Sequence, residues 1–314
     1  MTPLSILSAA VLTPFGSDLE LLLERLRAGP APGDAPRRIP DADIDAAAGS
    51  APSYRDRASS MLLGAARLSL AGFGIRPPVP DPERFGLVTG SHRGPLDSYA
   101  LFHRKIQEAG PRLAPPLLFA HGYPNAPNTL ASIALGIRGP NLSFSAGRVS
   151  GLSALMHGAI QIEQGRADRV LVAAFETVPA AWDNPAASAS GASGFSEIAV
   201  AILLAPAGDG PRLLSVAESG GADAALALAT AAAEAMLRSG AAGVGSILAS
   251  LPSPPASAGA VRRFHLESFF GDAGGALGLL GVALAAASIR ASRSGSILVA
   301  SADAGGEAAA AVIG

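Results

Sequence analysis

The chain has 314 residues, 49% of them hydrophobic and 15% charged. That is enough for one large domain or two fused halves, with a surface that is small for its core or partly covered by a partner. A net charge of −2 excludes partners held by charge alone, such as nucleic acid or an anionic membrane, and the absence of cysteine excludes disulfides, thiolate metal sites and a cysteine nucleophile.

In chain order, the stretch through Gly16 has no basic segment and its apolar run meets Pro14. No signal peptide is read there, and the cytoplasm is the expected location. Ile6 to Leu12 reads as a short strand, followed by a helix that Ser17 or Asp18 caps and that runs through Arg27. Residues 28–52, rich in Pro, Gly, Ala and Asp, read as a loop. Arg55 to Ala71 has the helical spacing of Met61, Leu62, Ala65 and Leu68. Phe85 to Gly90 reads as a buried strand, and Leu96 to Ala109 as a helix started by Pro95. Residues 110–128 hold five prolines and read as a long loop, a surface for a partner or substrate. Leu130 to Leu135 resumes a helix, and Asn141 to Phe144 is a strand.

A sharp turn over residues 145–151 leads into a helix to about Gln164, then a buried strand from Arg169 to Phe175. Residues 177–194 read as a loop of small residues carrying Trp182, and Glu197 to Leu204 as a strand. The second half repeats the theme. It has strands at Leu213 to Ala217 and Ser246 to Ala249, with a helix from Ala222 to Arg238 between them. A helix at Gly274 to Ile289 and strands at Ile297 to Ser301 and Ala308 to Ile313 complete it. The apolar run from Gly274 to Ile289 is shorter than the roughly 20 residues that span a bilayer. The alternation predicts an α/β protein, with continuous apolar strands of the kind found in parallel sheets covered on both faces.

The strand, tight turn and helix N-terminus at 141–164 form an arrangement that can present a nucleophile. The segment GPNLSFSAGRVSGLSALMHGAIQIEQGRADRVLVAAFE resembles the nucleophile region of the β-ketoacyl synthases: Gly139-Pro140, Ser150-Gly151, Gly165, Ala167-Asp168 and Glu176 match. Further segments resemble the family in order along the chain. These are VLTPFGSDLELLLERLRAG, GFSEIAVAILL, GDAGGALGLLGVALAAASI and ADAGGEAAAAVI. The resemblance implies a thiolase-like five-layered α-β-α-β-α fold of two similar halves, an N-terminal one over residues 1–206 and a shortened C-terminal one over 207–314.

The departures carry the functional reading. The family's nucleophilic cysteine falls at Arg148, its second histidine at Asp272, and its lysine at Glu267. The place of its first histidine reads Ser250-Leu251-Pro252-Ser253-Pro254. Arginine stays protonated and cannot attack a carbonyl. The resemblance therefore implies a noncatalytic subunit of the chain-length-factor type, paired with an active ketosynthase and served by an acyl carrier protein, with no cofactor. An enzyme with repurposed acyl-transfer or hydrolytic chemistry on the same fold is the alternative. Phe119, His121 and Tyr123 are expected at the tunnel and interface, and Leu142 and Phe144 on the strand through which family members pair. Arg148 is expected to be largely buried and to pair with Asp272, Glu267 or both. His92, His103, His121, His157 and His265 show no metal-ligand spacing. No Gly-x-Gly-x-x-Gly or Gly-x-Ser-x-Gly occurs.

Overall fold

A computed structural model describes residues 2–29, 38–50, 55–178, 194–250, 261–292 and 295–314. Most of the predicted 177–194 loop with Trp182, parts of the 28–52 loop, and Leu251 to Pro254 lie outside them. The first half contains β1 (Leu4–Leu12), α1 (Leu19–Ala28), α2 (Asp41–Ala48), α3 (Arg57–Gly72), β2 (Phe85–Gly90) and α4 (Leu96–Ala109). It continues with α5 (Pro116–His121), α6 (Ala126–Leu135), β3 (Asn141–Phe144), α7 (Ser150–Glu163), β4 (Arg169–Glu176) and β5 (Ile198–Ala205). The second half has β6 (Arg212–Gly220), α8 (Ala224–Ser239), β7 (Ser246–Ala249) and β8 (Arg262–His265). It ends with α9 (Leu266–Phe270), α10 (Ala276–Ser292), β9 (Ile297–Ala302) and β10 (Glu307–Ile313).

Among the described residues the strands run β3-β2-β4-β5-β1-β6-β10-β9-β7-β8. Counted within its own half, each side has the order third, second, fourth, fifth, first. In the sheet, the two sides are joined where Leu4 and Ser5 of β1 pair with Leu213 and Arg212 of β6. The sheet is mixed, which corrects the expectation of a parallel one. β2 pairs in parallel with β3 and β4, and β7 with β8 and β9, while β4-β5, β5-β1, β6-β10 and β10-β9 are antiparallel. The apolar runs arise because both faces of each half-sheet are covered, whatever the strand direction. In β4, Val170, Val172 and Ala174 point to a central core shared with α7 and α10, and Leu171, Ala173 and Phe175 point to an outer core with α3. In β10, Ala309, Ala311 and Ile313 face the same central core, while Ala308, Ala310 and Val312 face α8. The layers are thus α3, first sheet, α7 with α10, second sheet, and α8, which is the thiolase-like five-layered arrangement.

Two predicted loops contain helices. Within 28–52, α2 carries acidic Asp41 and Asp43 in its first turn, which favours a helix start. Within 110–128, Pro116 and Pro127 occupy the first turns of α5 and α6, where proline costs no hydrogen bond. The short elements β8 and α9 also escaped the sequence reading, because four or five residues show too little periodicity. Among the described residues no helix is long and apolar enough to cross a membrane.

Candidate functional site

The turn between β3 and α7 sits against the start of α10 and the end of β9. A single 3-10 turn spans Gly147–Val149, and Gly147 has a φ of 56°. Its positive φ favours glycine, and a Cβ there would lie 2.1 Å from Asp303 Oδ2, so any other residue would displace that carboxylate. Ser150 Oγ donates to the Gly147 carbonyl at 2.6 Å and accepts from the Ala146 N–H at 2.9 Å. Ser301 Oγ donates to the Arg148 carbonyl at 2.9 Å. The Arg148 N–H donates to Asp303 Oδ2 at 2.8 Å, and the Gly151 N–H to the Gly275 carbonyl at 3.1 Å. Backbone and small side chains therefore fix the turn without the Arg148 side chain.

That side chain reaches from the first half to the second. Its Nη2 lies 2.7 Å from Asp272 Oδ2 and its Nη1 3.2 Å from Glu267 Oε2. The structure brings the three residues together as a salt-bridged cluster. The Arg148 side chain is 22% exposed, Glu267 21% and Asp272 12%, so the arginine is largely buried, as expected, with its edge in contact with solvent.

A second ionic layer lies behind. Arg93 Nε stands 3.4 Å from Glu176 Oε2, and its Nη1 3.9 Å from Asp272 Oδ1. Its guanidinium also stacks 4.9 Å over the Phe195 ring. Glu176 is fully buried and accepts from the N–H groups of His92, Arg93 (3.1 Å) and Gly275 (3.2 Å). Burial pushes its carboxyl up from the ordinary range, against the opposing pull of Arg93 and the His92 and Arg93 N–H groups. At the turn, Asp303 is held below the ordinary range. Its partial burial acts upward, but the N–H groups of Arg148 and Gly305 and the charges of His92 and Arg148 outweigh it. Cation and acids here offset one another, and position 148, an arginine, offers no nucleophile.

The expected tunnel and interface residues divide. Phe119 and Tyr123 are half exposed, in a ring ladder with Phe102 at centroid distances of 5.4 and 4.9 Å. His121 is turned inward instead, its Nδ1 3.1 Å from Asp56 Oδ2, and Asp56 in turn caps α3 by accepting from the Ser59 N–H at 2.9 Å. Leu142 and Phe144 lie on β3, the end strand of the sheet, and the Phe144 ring sits 4.2 Å from His157.

Sequence reasoning missed Asp303, Arg93 and the role of Glu197. Glu197 is fully buried and takes Arg57 Nε at 2.8 Å, Arg57 Nη2 at 2.6 Å, the Ile39 N–H at 2.9 Å and the Val178 N–H at 3.2 Å. A carboxylate abutting the all-buried β5 was the available signal, since such a charge must be paired.

Residues 40–194 match the family described as "Beta-ketoacyl synthase, N-terminal domain". The ketoacyl synthase alpha subunit of the tetracenomycin polyketide synthase of Streptomyces glaucescens is 31% identical over 128 residues, which is 39% of this chain and 30% of that one. The 3-oxoacyl-[acyl-carrier-protein] synthase 2 of Vibrio cholerae is 32% identical over 93 residues, 30% of this chain and 22% of that one. The matched segments thus span under a third of the length of these curated relatives. A chain of the solved ishigamide ketosynthase/chain length factor superimposes with a TM-score of 0.81 at 25% identity, covering 100% of this chain and 99% of that one. A chain of the AntDE:AntF complex, a type II acyl-carrier protein with its ketosynthase, gives 0.80 at 14% identity, covering 99% of both. The latter likeness concerns the fold alone.

Proposed function

We propose that this chain, which belongs to the β-ketoacyl synthase family, is its noncatalytic chain-length-factor type of subunit, pairing with an active ketosynthase and shaping the tunnel in which the partner's acyl chain grows. The observation that carries this reading is Arg148 at the nucleophile position, bound by Glu267 and Asp272 where relatives need a lysine and a histidine. Decarboxylative condensation requires a thiolate to hold the acyl group and donors to polarise the malonyl thioester. In this reading residues 1–206 form the ketosynthase-like N-terminal half and 207–314 a shortened second half. The partner ketosynthase docks along β3, which ends the sheet. The exposed Phe119 and Tyr123, with His121 behind them, set the shape of interface and tunnel. An acyl carrier protein delivers substrate to the partner, and no cofactor takes part.

Co-expression with a ketosynthase encoded apart from this chain tests the pairing. The expected result is a complex of equal proportions by size-exclusion chromatography and intact mass, with acyl groups on the partner alone. A monodisperse monomer at micromolar concentration, unmoved by any such partner, overturns the pairing, and a covalent acyl group on this chain overturns the noncatalytic reading.

A further inference from the structure

We infer that Asp303 fills, with its own carboxylate, the oxyanion hole that the 147–150 turn would otherwise present, so that the chain is barred from acyl transfer a second time, independently of Arg148. The inference rests on the noncatalytic reading and adds a second lock to it.

Acyl transfer passes through a tetrahedral intermediate whose oxygen carries negative charge, and backbone N–H groups next to the nucleophile stabilise it. The donor nearest to any nucleophile at position 148 is that residue's own N–H. Here it is already bound to Asp303 Oδ2 at 2.8 Å, while Asp303 Oδ1 takes the Gly305 N–H at 3.1 Å. Two backbone donors from opposite halves of the molecule thus converge on one carboxylate. A developing oxyanion would find its donor occupied and a like charge beside it.

Three observations show that the carboxylate is built in rather than swung in. Asp303 sits in the tight turn joining β9 to β10, where its N–H donates to the Glu307 carbonyl at 2.8 Å and its carbonyl accepts from the Gly306 N–H at 3.0 Å. Two residues earlier, Ser301 binds the Arg148 carbonyl at 2.9 Å, which clamps the two turns together. The space for the carboxylate exists because residue 147 is glycine, as a Cβ there would lie 2.1 Å from Oδ2. The lowered carboxyl value of Asp303 agrees with an ion held by N–H donors.

The test installs a thiol and asks what still obstructs it. Arg148→Cys and Arg148→Cys/Asp303→Ala are compared, each also in a Glu267→Gln/Asp272→Asn background that removes the acids left without their cation. Both are treated with iodoacetamide, whose displacement at carbon forms no oxyanion, and with the hexanoyl thioester of N-acetylcysteamine. In the second reaction the introduced thiolate attacks the carbonyl carbon. The oxyanion then collapses, and N-acetylcysteamine leaves as a thiolate that takes a proton from water. Rates are read above the thiol's own titration, so that a changed thiolate fraction does not enter. Alkylation is expected to match within about threefold, whereas acylation is expected to be about 100-fold faster without Asp303, on the order of the loss of one oxyanion donor. Where the alanine variant does not fold, Asp303→Asn, which removes the like charge, replaces it, and a rise in acylation larger than any change in alkylation is expected. Equal acylation with and without Asp303, at equal alkylation, overturns the inference and leaves the noncatalytic reading standing. Acylation of the unaltered chain overturns that reading itself.

Discussion

The molecule contains two arginine–carboxylate clusters that differ in how they are held. Around Glu197, every partner belongs to the first half. The carboxylate is fully buried, and Arg57 and the Ile39 and Val178 N–H groups satisfy it from several sides. Around Arg148, the cation belongs to one half and both acids to the other, and all three side chains keep some contact with solvent. Backbone groups, Ser150, Ser301 and Asp303 hold the turn beneath. The first cluster is an anchor whose removal strands a buried charge. The second is a bridge between the halves that water can partly re-solvate, and the fold does not depend on it to the same degree.

Stability measurements can break this contrast. Glu197→Ala should cost about 3–5 kcal/mol, because the Ile39 and Val178 N–H groups would lose their buried acceptor and Arg57 would keep only the exposed Asp41 and the Ile39 carbonyl. Arg148→Ala should cost less, about 1–3 kcal/mol, because Glu267 and Asp272 can turn to water and Asp272 retains Arg93 and the Gly274 N–H. Urea midpoints at neutral pH compare the two directly, and an Arg148→Ala cost equal to or above that of Glu197→Ala removes the distinction. Smaller again, Phe119→Ala and Tyr123→Ala should lower the stability of the isolated chain by under about 1 kcal/mol, since both rings are half exposed. The same changes should alter the chain length of the product made with a partner ketosynthase, read by mass spectrometry. An unchanged product together with an unchanged yield of complex removes these rings from the interface and tunnel.

Much of this was legible in the sequence, for reasons that particular elements make plain. Ser246–Ala249 and Asn141–Phe144 were read to the residue, because small or turn-forming neighbours bound their apolar cores. The pairing of Arg148 with Glu267 and Asp272 could be expected from charges that change sign together at positions the resemblance places face to face. What stayed hidden depends on direction and depth. Strand polarity leaves no mark on a strand covered on both faces, so a mixed sheet read as a parallel one. That Glu267 keeps a fifth of its side chain in solvent depends on how α9 lies against the turn, and a five-residue helix has no pattern that would show it. Asp303 looked like an ordinary turn residue before Gly305 and Gly306, and only the three-dimensional contact with Gly147 reveals its neighbour.

The smallest expected effect concerns pH and separates the turn from the ion cluster above it. The Asp303 carboxyl lies below its ordinary range in the folded chain, because the Arg148 and Gly305 N–H groups outweigh the upward push of burial. The unfolded chain then binds more protons across that interval, so stability rises with pH there. The contribution is fully present above the ordinary carboxylate range and is lost as pH falls through it toward the lower folded value. Glu176, pushed up by burial, acts with the opposite sign: its penalty grows as pH rises above the ordinary range. A bare acid titration of the unaltered chain would mix the two. The difference between the unaltered chain and Asp303→Asn isolates the first, because Glu176 is common to both. That difference should be largest near neutrality and shrink as pH falls through the ordinary carboxylate range toward the lower folded value, below which a protonated Asp303 and an asparagine both offer the turn an uncharged oxygen. Denaturation midpoints across that interval measure it. A difference that stays constant with pH would mean that the two N–H groups do not favour the ionised carboxylate, and would leave the turn held by Ser150 and Ser301 without help from charge.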